Sequence, residues 1–211
     1  MSIFRAYDIR GIAGKDLGNE IAEKIGKAFA TYVGGGEIIV GYDARISSPE
    51  LKEAVINGLV SAGCDVVDIG MVPTPLVYFS VSHFKKDGGI MITGSHNPPE
   101  YNGFKLLRGD KTLYGEEIQD LRRIIESGRF SEGSGNVKEK NVIRGYQNYI
   151  LKRVKLGKKL KIVIDCGNGA AGPVAVNLFE NFGCKVIPLY CEPDGNFPNH
   201  HPDPTVDETL D

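Results

Sequence analysis

The stretch "IIVGYDARISSPELKEAVINGLVSAGCDVVDIG", residues 38–70, decides the fold. It opens with a short apolar run, turns at Asp43 and restarts as a helical pattern. It then stops at Gly63 before a second apolar run. Ser47 or Ser48 is placed to cap the helix, Pro49 suits its first turn, and Glu50 favours the positive end of the dipole. Two short apolar runs around a punctuated helix predict a β-α-β unit over 37–70, with parallel strands.

Outward from that unit the same alternation continues. Leu17, Ile21, Ile25, Ala28, Phe29 and Tyr32 recur at helical spacing and predict a helix over 17–33, ended by three glycines. Downstream, "PTPLVYFSVSHF" reads as a proline-led turn into a short helix, "GGIMI" as a strand and "GFKLL" as another. "YGEEIQDLRRIIESG" predicts a helix with Ile118, Leu121, Ile124 and Ile125 on one side, and "VIRGYQNYILKRV" predicts a further one. The stretch "RFSEGSGNVKEKN" between them is rich in glycine, serine and charge and is expected to be exposed.

The pattern then restarts in "LKIVIDCGNGAAGPVAVNLFENFGCKVIPLY", residues 160–190. Laid on the first unit, Asp165 falls on Asp43 and Gly183-Cys184 on Gly63-Cys64, an internal repeat at about 120 residues. The expected fold class is α/β, a mixed, mainly parallel sheet flanked by helices. A complete first domain over 1–140 is followed by a truncated second domain of similar topology over 141–211. Two parallel strands do not cover their own faces. The expectation is therefore a fragment of a longer protein, with low stability after about residue 155.

Bulk properties narrow the function. A net charge of −2 and a pI of about 6.1 argue against a general nucleic-acid binder. No apolar run reaches the roughly 18 residues that span a bilayer, so no membrane partner is expected. The start, "MSIFRAYDIRG", lacks an apolar signal core, which argues against export. Cys64, Cys166, Cys184 and Cys191 form no C-x-x-C pair; the first three named sit in or beside apolar runs, and buried, reduced thiols of a cytoplasmic protein are the reading. Nothing in the sequence sets an oligomeric state.

The chemistry concentrates in "TGSHNPPEYNGFK", residues 93–105. Two prolines stiffen a turn at the end of a buried strand and present Ser95. The elbow G-x-S-x-G is absent, and adjacent side chains such as Ser95 and His96 usually point apart, so an acyl-transfer triad has little support. Phosphoryl transfer needs the same exposed serine with positioning and charge neutralisation. Lys105 and Arg10 are candidate cations, and Gly94 and Gly103 are expected to let backbone approach an anion closely. Taken alone, S-H-N-P reads as a rigid surface turn with Asn97 as turn former. Arg10 alone reads as a salt-bridge partner of Asp8 or Asp16. His200 and His201 are neighbours in sequence and read as loop residues rather than a metal pair.

At full length this stretch resembles the phosphoserine signature of the α-D-phosphohexomutase family, the phosphoglucomutase and phosphomannomutase enzymes. Five more blocks resemble the family in order: "FRAYDIRG" (4–11), "GYDARISS" (41–48), "PTPLVYF" (73–79), "IDCGNGAAG" (164–172) and "PDGNFPNHHPDP" (193–204). The resemblance implies a phosphoserine at Ser95 that interconverts hexose 1-phosphate and hexose 6-phosphate through a hexose bisphosphate. It implies roles for Lys105 as acid/base or phosphate neutraliser and for His96 as proton shuttle or phosphate donor. Arg10 and Tyr7 would line the cleft, with Asn97 and Lys105 as further substrate contacts. It also implies Mg²⁺, held by a Ser95 phosphate oxygen and three aspartates of a D-G-D-G-D run that this sequence lacks. The blocks look closer to the glucose/mannose branch than to the phosphoglucosamine branch. The alternative reading is a non-catalytic sugar-phosphate-binding or interaction module.

Overall fold

The computed structural model describes residues 3–203 together with 205 and 207, so Pro204 at the end of the last block lies outside the described residues. Its elements run β1 (Ile9–Ile12), α1 (Asn19–Val33), β2 (Gly36–Tyr42), α2 (Ser48–Ser61), β3 (Cys64–Met71), α3 (Thr74–Phe84), β4 (Gly88–Ile92) and β5 (Tyr101–Arg108). There follow β6 (Lys111–Thr112), α4 (Glu116–Ser127), β7 (Val137–Glu139), α5 (Ile143–Arg153), β8 (Lys161–Asp165), α6 (Gly172–Asn181) and β9 (Lys185–Leu189).

The larger sheet has the order β1-β5-β4-β2-β3-β7, with β6 paired to β5. Strands β4, β2, β3 and β7 are parallel, and β5 pairs antiparallel with β4, β1 and β6. The expected β-α-β unit is β2-α2-β3. Its parallel register runs from Gly36 opposite Cys64 to Tyr42 opposite Met71. Gly63, at φ +91°, ends the helix in the left-handed conformation that glycine adopts without steric penalty.

Alternation along the strands divides the core by face. Ile38, Val40, Ile90, Ile92 and Phe104 point to one face, under α1, α2 and α4. Ile39, Val67, Met91 and Leu107 point to the other, where Leu76, Val77 and Val81 of α3 cover them. Each core side chain contributes roughly 1.5–3 kcal/mol of transfer free energy on burial. Helices α1 and α2 pack backbone to backbone. A Cβ on Gly26 would lie 2.3 Å from the Val55 carbonyl, and one on Gly58 would lie 2.1 Å from that of Glu23.

Three details differ from the expectations. Residues 129–141 are largely exposed, yet Val137–Glu139 form an edge strand beside β3. Glycine makes the approach possible, since a Cβ on Gly135 would lie 1.8 Å from the Cys64 carbonyl. Neither serine caps α2 with its side chain. Ser48 Oγ instead donates to Asp43 Oδ1 at 2.6 Å, and the buried Asn102 of β5 donates to both hydroxyls, at 2.8 and 2.9 Å. Of the cysteines, Cys64 and Cys184 are buried, but Cys166 and Cys191 are half-buried with their sulfurs 3.5 Å apart. Burial, the Cys191 thiol and Asp165 push the Cys166 thiol up to about 12, and burial pushes Cys64 to about 11, which keeps both protonated.

The later unit, β8-α6-β9, is again two parallel strands around a helix. Helix α5 bridges the two parts. Its Ile143 and Tyr146, with Val142 just before it, pack on the first sheet, while Gln147 Nε2 donates to the Val174 carbonyl at 3.0 Å. None of the helices among the described residues is long and apolar enough to cross a membrane.

Candidate active site

Strand β2 lies between β3 and β4: α2 carries the chain to β3 on one side, and α3 brings it back past β2 to β4 on the other, so the winding reverses there. In open α/β sheets such a switch point opens a crevice at the carboxyl ends of the strands. Here the crevice is a cleft of about 320 Å³ walled by Asp43 after β2, Pro73 and Thr74 after β3, and Thr93 and Ser95 after β4. Cys166, Gly169 and Phe197 of the later part close its other side. A larger groove of about 450 Å³ lies along Lys52, Asp68 and Lys140. It contains none of the expected site residues, and Lys52 is already paired with Asp68 and Glu53.

Ser95 is exposed and sits at φ +57°. A non-glycine residue in that region is uncommon and persists only where its surroundings hold it. The surroundings here are dense. The Ser95 N–H donates to Thr93 Oγ1 at 2.9 Å, the Gly94 N–H to Asp43 Oδ2 at 3.2 Å, and Asn97 Nδ2 to the Gly94 carbonyl at 2.7 Å. Beneath the turn lies Arg45, 1% exposed. Its Nη2 donates to the carbonyls of Ser95 (3.0 Å) and Asn97 (2.6 Å), and its Nη1 to those of Pro98 (2.6 Å) and Tyr101 (3.0 Å). Its Nε donates to Asp43 Oδ2 at 3.2 Å. All five guanidinium N–H groups are thereby used. Burial pulls the Arg45 guanidinium below its ordinary value while the Asp43 carboxylate opposes that shift. Arginine keeps its charge in proteins.

The glycines serve this packing rather than an anion. A Cβ on Gly94 would lie 2.4 Å from Arg45 Cζ, and one on Gly103 would lie 2.2 Å from the Ile9 carbonyl of β1. The expectation that both clear backbone for a ligand is therefore corrected. Ser95 and His96 also do not point apart, since Ser95 Oγ and His96 Nδ1 are 3.3 Å from each other. The left-handed backbone at Ser95 changes the relative direction of the two side chains.

Lys105 faces Met91 across the β4–β5 ladder, and Arg10 faces Gly103 across β1–β5. Opposite residues of antiparallel strands share a face. Arg10 and Lys105 therefore lie on the face of Met91 and Thr93, which line the cleft. Both pair with Asp8: Arg10 through Nη2, Lys105 at 4.0 Å. Arg10 is thus a salt-bridge partner of Asp8, and its buried Nε has no hydrogen-bond acceptor among the described residues. Its charge also weighs on Arg45. Tyr7 is 73% exposed at the start of this group. Asn97 braces the turn. Arg45 escaped the sequence reading altogether. Its only local signal is the preceding Asp43, and the carbonyls it holds lie 50 to 56 residues away.

His200 has the loop role expected. Its Nε2 reaches both Asp165 oxygens, at 3.0 and 3.1 Å, and its Nδ1 reaches the His201 carbonyl at 2.8 Å. No group of three or more His, Cys, Asp or Glu side chains gathers as a metal site among the described residues.

Comparison with known proteins bears on the same residues. A family model for phosphoglucomutase/phosphomannomutase, alpha/beta/alpha domain I, matches residues 1–132, and that for domain II matches residues 144–211. A "Phosphomannomutase/phosphoglucomutase" of Pseudomonas aeruginosa is 50% identical over 99% of this chain, and the match covers 46% of the relative. A "Phosphoglucomutase" of Neisseria gonorrhoeae is 47% identical with the same coverage. A crystal structure of a phosphoglucomutase/phosphomannomutase family protein from Burkholderia thailandensis superposes with a TM-score of 0.95 at 47% identity, covering 99% of this chain and 48% of that one. The chain thus spans about half the length of the relatives it matches. With two consecutive family models and a matching fold across its length, the chain belongs to the phosphoglucomutase/phosphomannomutase family.

Proposed function

We propose that this chain carries the phosphoserine half of a phosphohexomutase that interconverts the 1- and 6-phosphates of glucose, mannose or both. One observation carries the reading. Ser95 stands exposed in the left-handed region at the switch-point cleft, on a turn whose inward carbonyls are already bonded. A serine so presented, outside any G-x-S-x-G elbow, suits phosphoryl transfer better than acyl transfer.

In this reading the phosphoryl group on Ser95 Oγ passes to a free hydroxyl of a hexose monophosphate. The P–Oγ bond breaks, a bond from phosphorus to the sugar oxygen forms, and the hydroxyl proton passes to a base, for which Lys105 is the candidate. His96, 3.3 Å from Ser95 Oγ, is placed to return a proton to the serine oxygen. The bisphosphate turns over and gives its other phosphoryl group back to Ser95. Arg10 and Lys105 neutralise phosphate charge, and the unpartnered Nε of Arg10 is a buried donor that an oxyanion would satisfy. Tyr7 and Asn97 complete the substrate contacts. The Mg²⁺ of the family enters only through Ser95. The chain has no D-G-D-G-D run, and the described residues make no acid cluster, so they do not form a magnesium site and no step is assigned to the ion. Four cysteines that are all free, with no disulfide between them, favour the cytoplasm as its compartment.

The test is intact-mass spectrometry of the full-length protein containing this chain, incubated with a hexose bisphosphate. A fraction heavier by one phosphate is expected, and Ser95→Ala removes both that fraction and mutase turnover. Turnover that survives Ser95→Ala defeats the proposal. Labelling of Ser95 by a fluorophosphonate would point to a hydrolase instead.

A further inference from the structure

We infer that Arg45 is the positioning residue for phosphoryl transfer at Ser95, an inference that rests on the mutase reading above. Its hydrogen bonds go to backbone carbonyls and to Asp43 rather than to the reacting Ser95 oxygen, so it acts through the backbone. Four carbonyls of the turn, those of Ser95, Asn97, Pro98 and Tyr101, converge on one buried guanidinium. Each carbonyl that faces inward fixes its peptide plane. Together they keep Ser95 at φ +57° with its side chain turned out to the cleft. Asp43 fixes the guanidinium in turn. It accepts from Arg45 Nε and from the Arg45 and Gly94 N–H groups, so acid, arginine and turn form one closed set of hydrogen bonds.

The other side of the same group meets the later part of the chain. The Phe197 ring lies over the guanidinium, 5.3 Å from Cζ to the ring centroid. Phe197 is itself left-handed at φ +50°. Gly195 lets its loop sit against the Asp43–Ile46 turn, because a Cβ there would lie 2.6 Å from both the Ala44 carbonyl and the Ile46 nitrogen. Arg45 is thus clamped between the serine turn and the far wall of the cleft. Lysine cannot replace it, because a compact ammonium with three donors does not span acceptors spread around a planar fork.

The geometry predicts a loss in the chemical step without a matching loss in sugar binding, since Arg45 lies beneath the turn. Arg45→Lys, Arg45→Gln and Ser95→Ala are compared in the full-length protein containing this chain, with glucose 1-phosphate as substrate and glucose 1,6-bisphosphate as activator. For Arg45→Lys, kcat is expected to fall about 10²-fold, the cost of misplacing a reacting group by about an ångström, with KM held within about threefold. Amide exchange at Ser95, His96 and Asn97 is expected to accelerate in the same variant, and Arg45→Gln to lose at least as much kcat. Wild-type kcat in Arg45→Lys, or a change confined to KM, overturns the inference. Should Arg45→Gln fail to fold, the Arg45→Lys pair of readouts still decides. Full activity in Ser95→Ala sinks the mutase reading itself, whereas an inactive Ser95→Ala beside a fully active Arg45→Lys sinks only the role of Arg45.

Discussion

The two β-α-β units make the same turn and use it differently. In each, an aspartate at the end of the first strand accepts the N–H two residues on: Asp43 from Arg45 at 3.0 Å, Asp165 from Gly167 at 2.8 Å. In each, a left-handed glycine precedes the second strand, Gly63 at φ +91° and Gly183 at φ +81°, followed by a buried cysteine. Their surroundings separate them. Strand β2 is flanked by β3 and β4 and is buried through its centre, whereas β8 and β9 pair only with each other among the described residues, and β8 alternates between exposed and half-buried. Asp43 grips a buried arginine, and Asp165 grips a histidine at the edge. A local sequence pattern sets the turn, and sheet context sets how much energy rests on it.

Removing the cation from each turn should give the largest contrast. Arg45→Met takes the buried cation from Asp43 and the guanidinium donors from four carbonyls, and is expected to cost about 3–5 kcal/mol in urea unfolding. His200→Ala at neutral pH is expected to cost less than about 1 kcal/mol, as for other exposed pairs. Equal losses would show that burial does not separate the two turns. Apolar truncation sharpens the same point. Ile39→Ala in β2 should cost about 2–5 kcal/mol, and Val163→Ala, at a site 59% exposed, should stay within about 0.5 kcal/mol.

Hydrogen exchange compares the units without mutation. Amides of β8 and β9 are expected to exchange faster than those of β2, β3 and β4, because fewer buried apolar contacts resist local opening. Comparable protection would count against the ranking. The smallest effect is one of pH. The His201 carbonyl first, and then Asp165, hold His200 above its ordinary value of 6.5. A raised folded value means that protonated His200 adds stability fully present below about 6.5, and this is lost as pH rises through the higher folded value. The 193–203 loop should therefore loosen slightly as the pH rises past that window. NMR titration of His200 with loop exchange checks it, and His200→Gln should abolish the dependence.

The β-α-β units were legible because period, proline and glycine all mark them, and Asp165 and Gly183-Cys184 fell where the repeat put them. Edge strand β7 was not legible. Three exposed residues carry no period, and the glycines that admit it look like loop. The serine turn was legible as a stiff presentation of Ser95, but its support was not. Arg45 sits in an ordinary polar stretch, and only the tertiary fold brings four carbonyls to it. The same holds for Arg10 and Lys105, whose common face is set by strand register rather than by spacing along the chain.

The inward carbonyls of the Ser95 turn have one more consequence. With those carbonyls already held by Arg45, the backbone beneath Oγ is fixed before any group is added there. For the phosphoryl carrier proposed above, loaded and unloaded forms are therefore expected to share one backbone, with a small reorganisation energy between them.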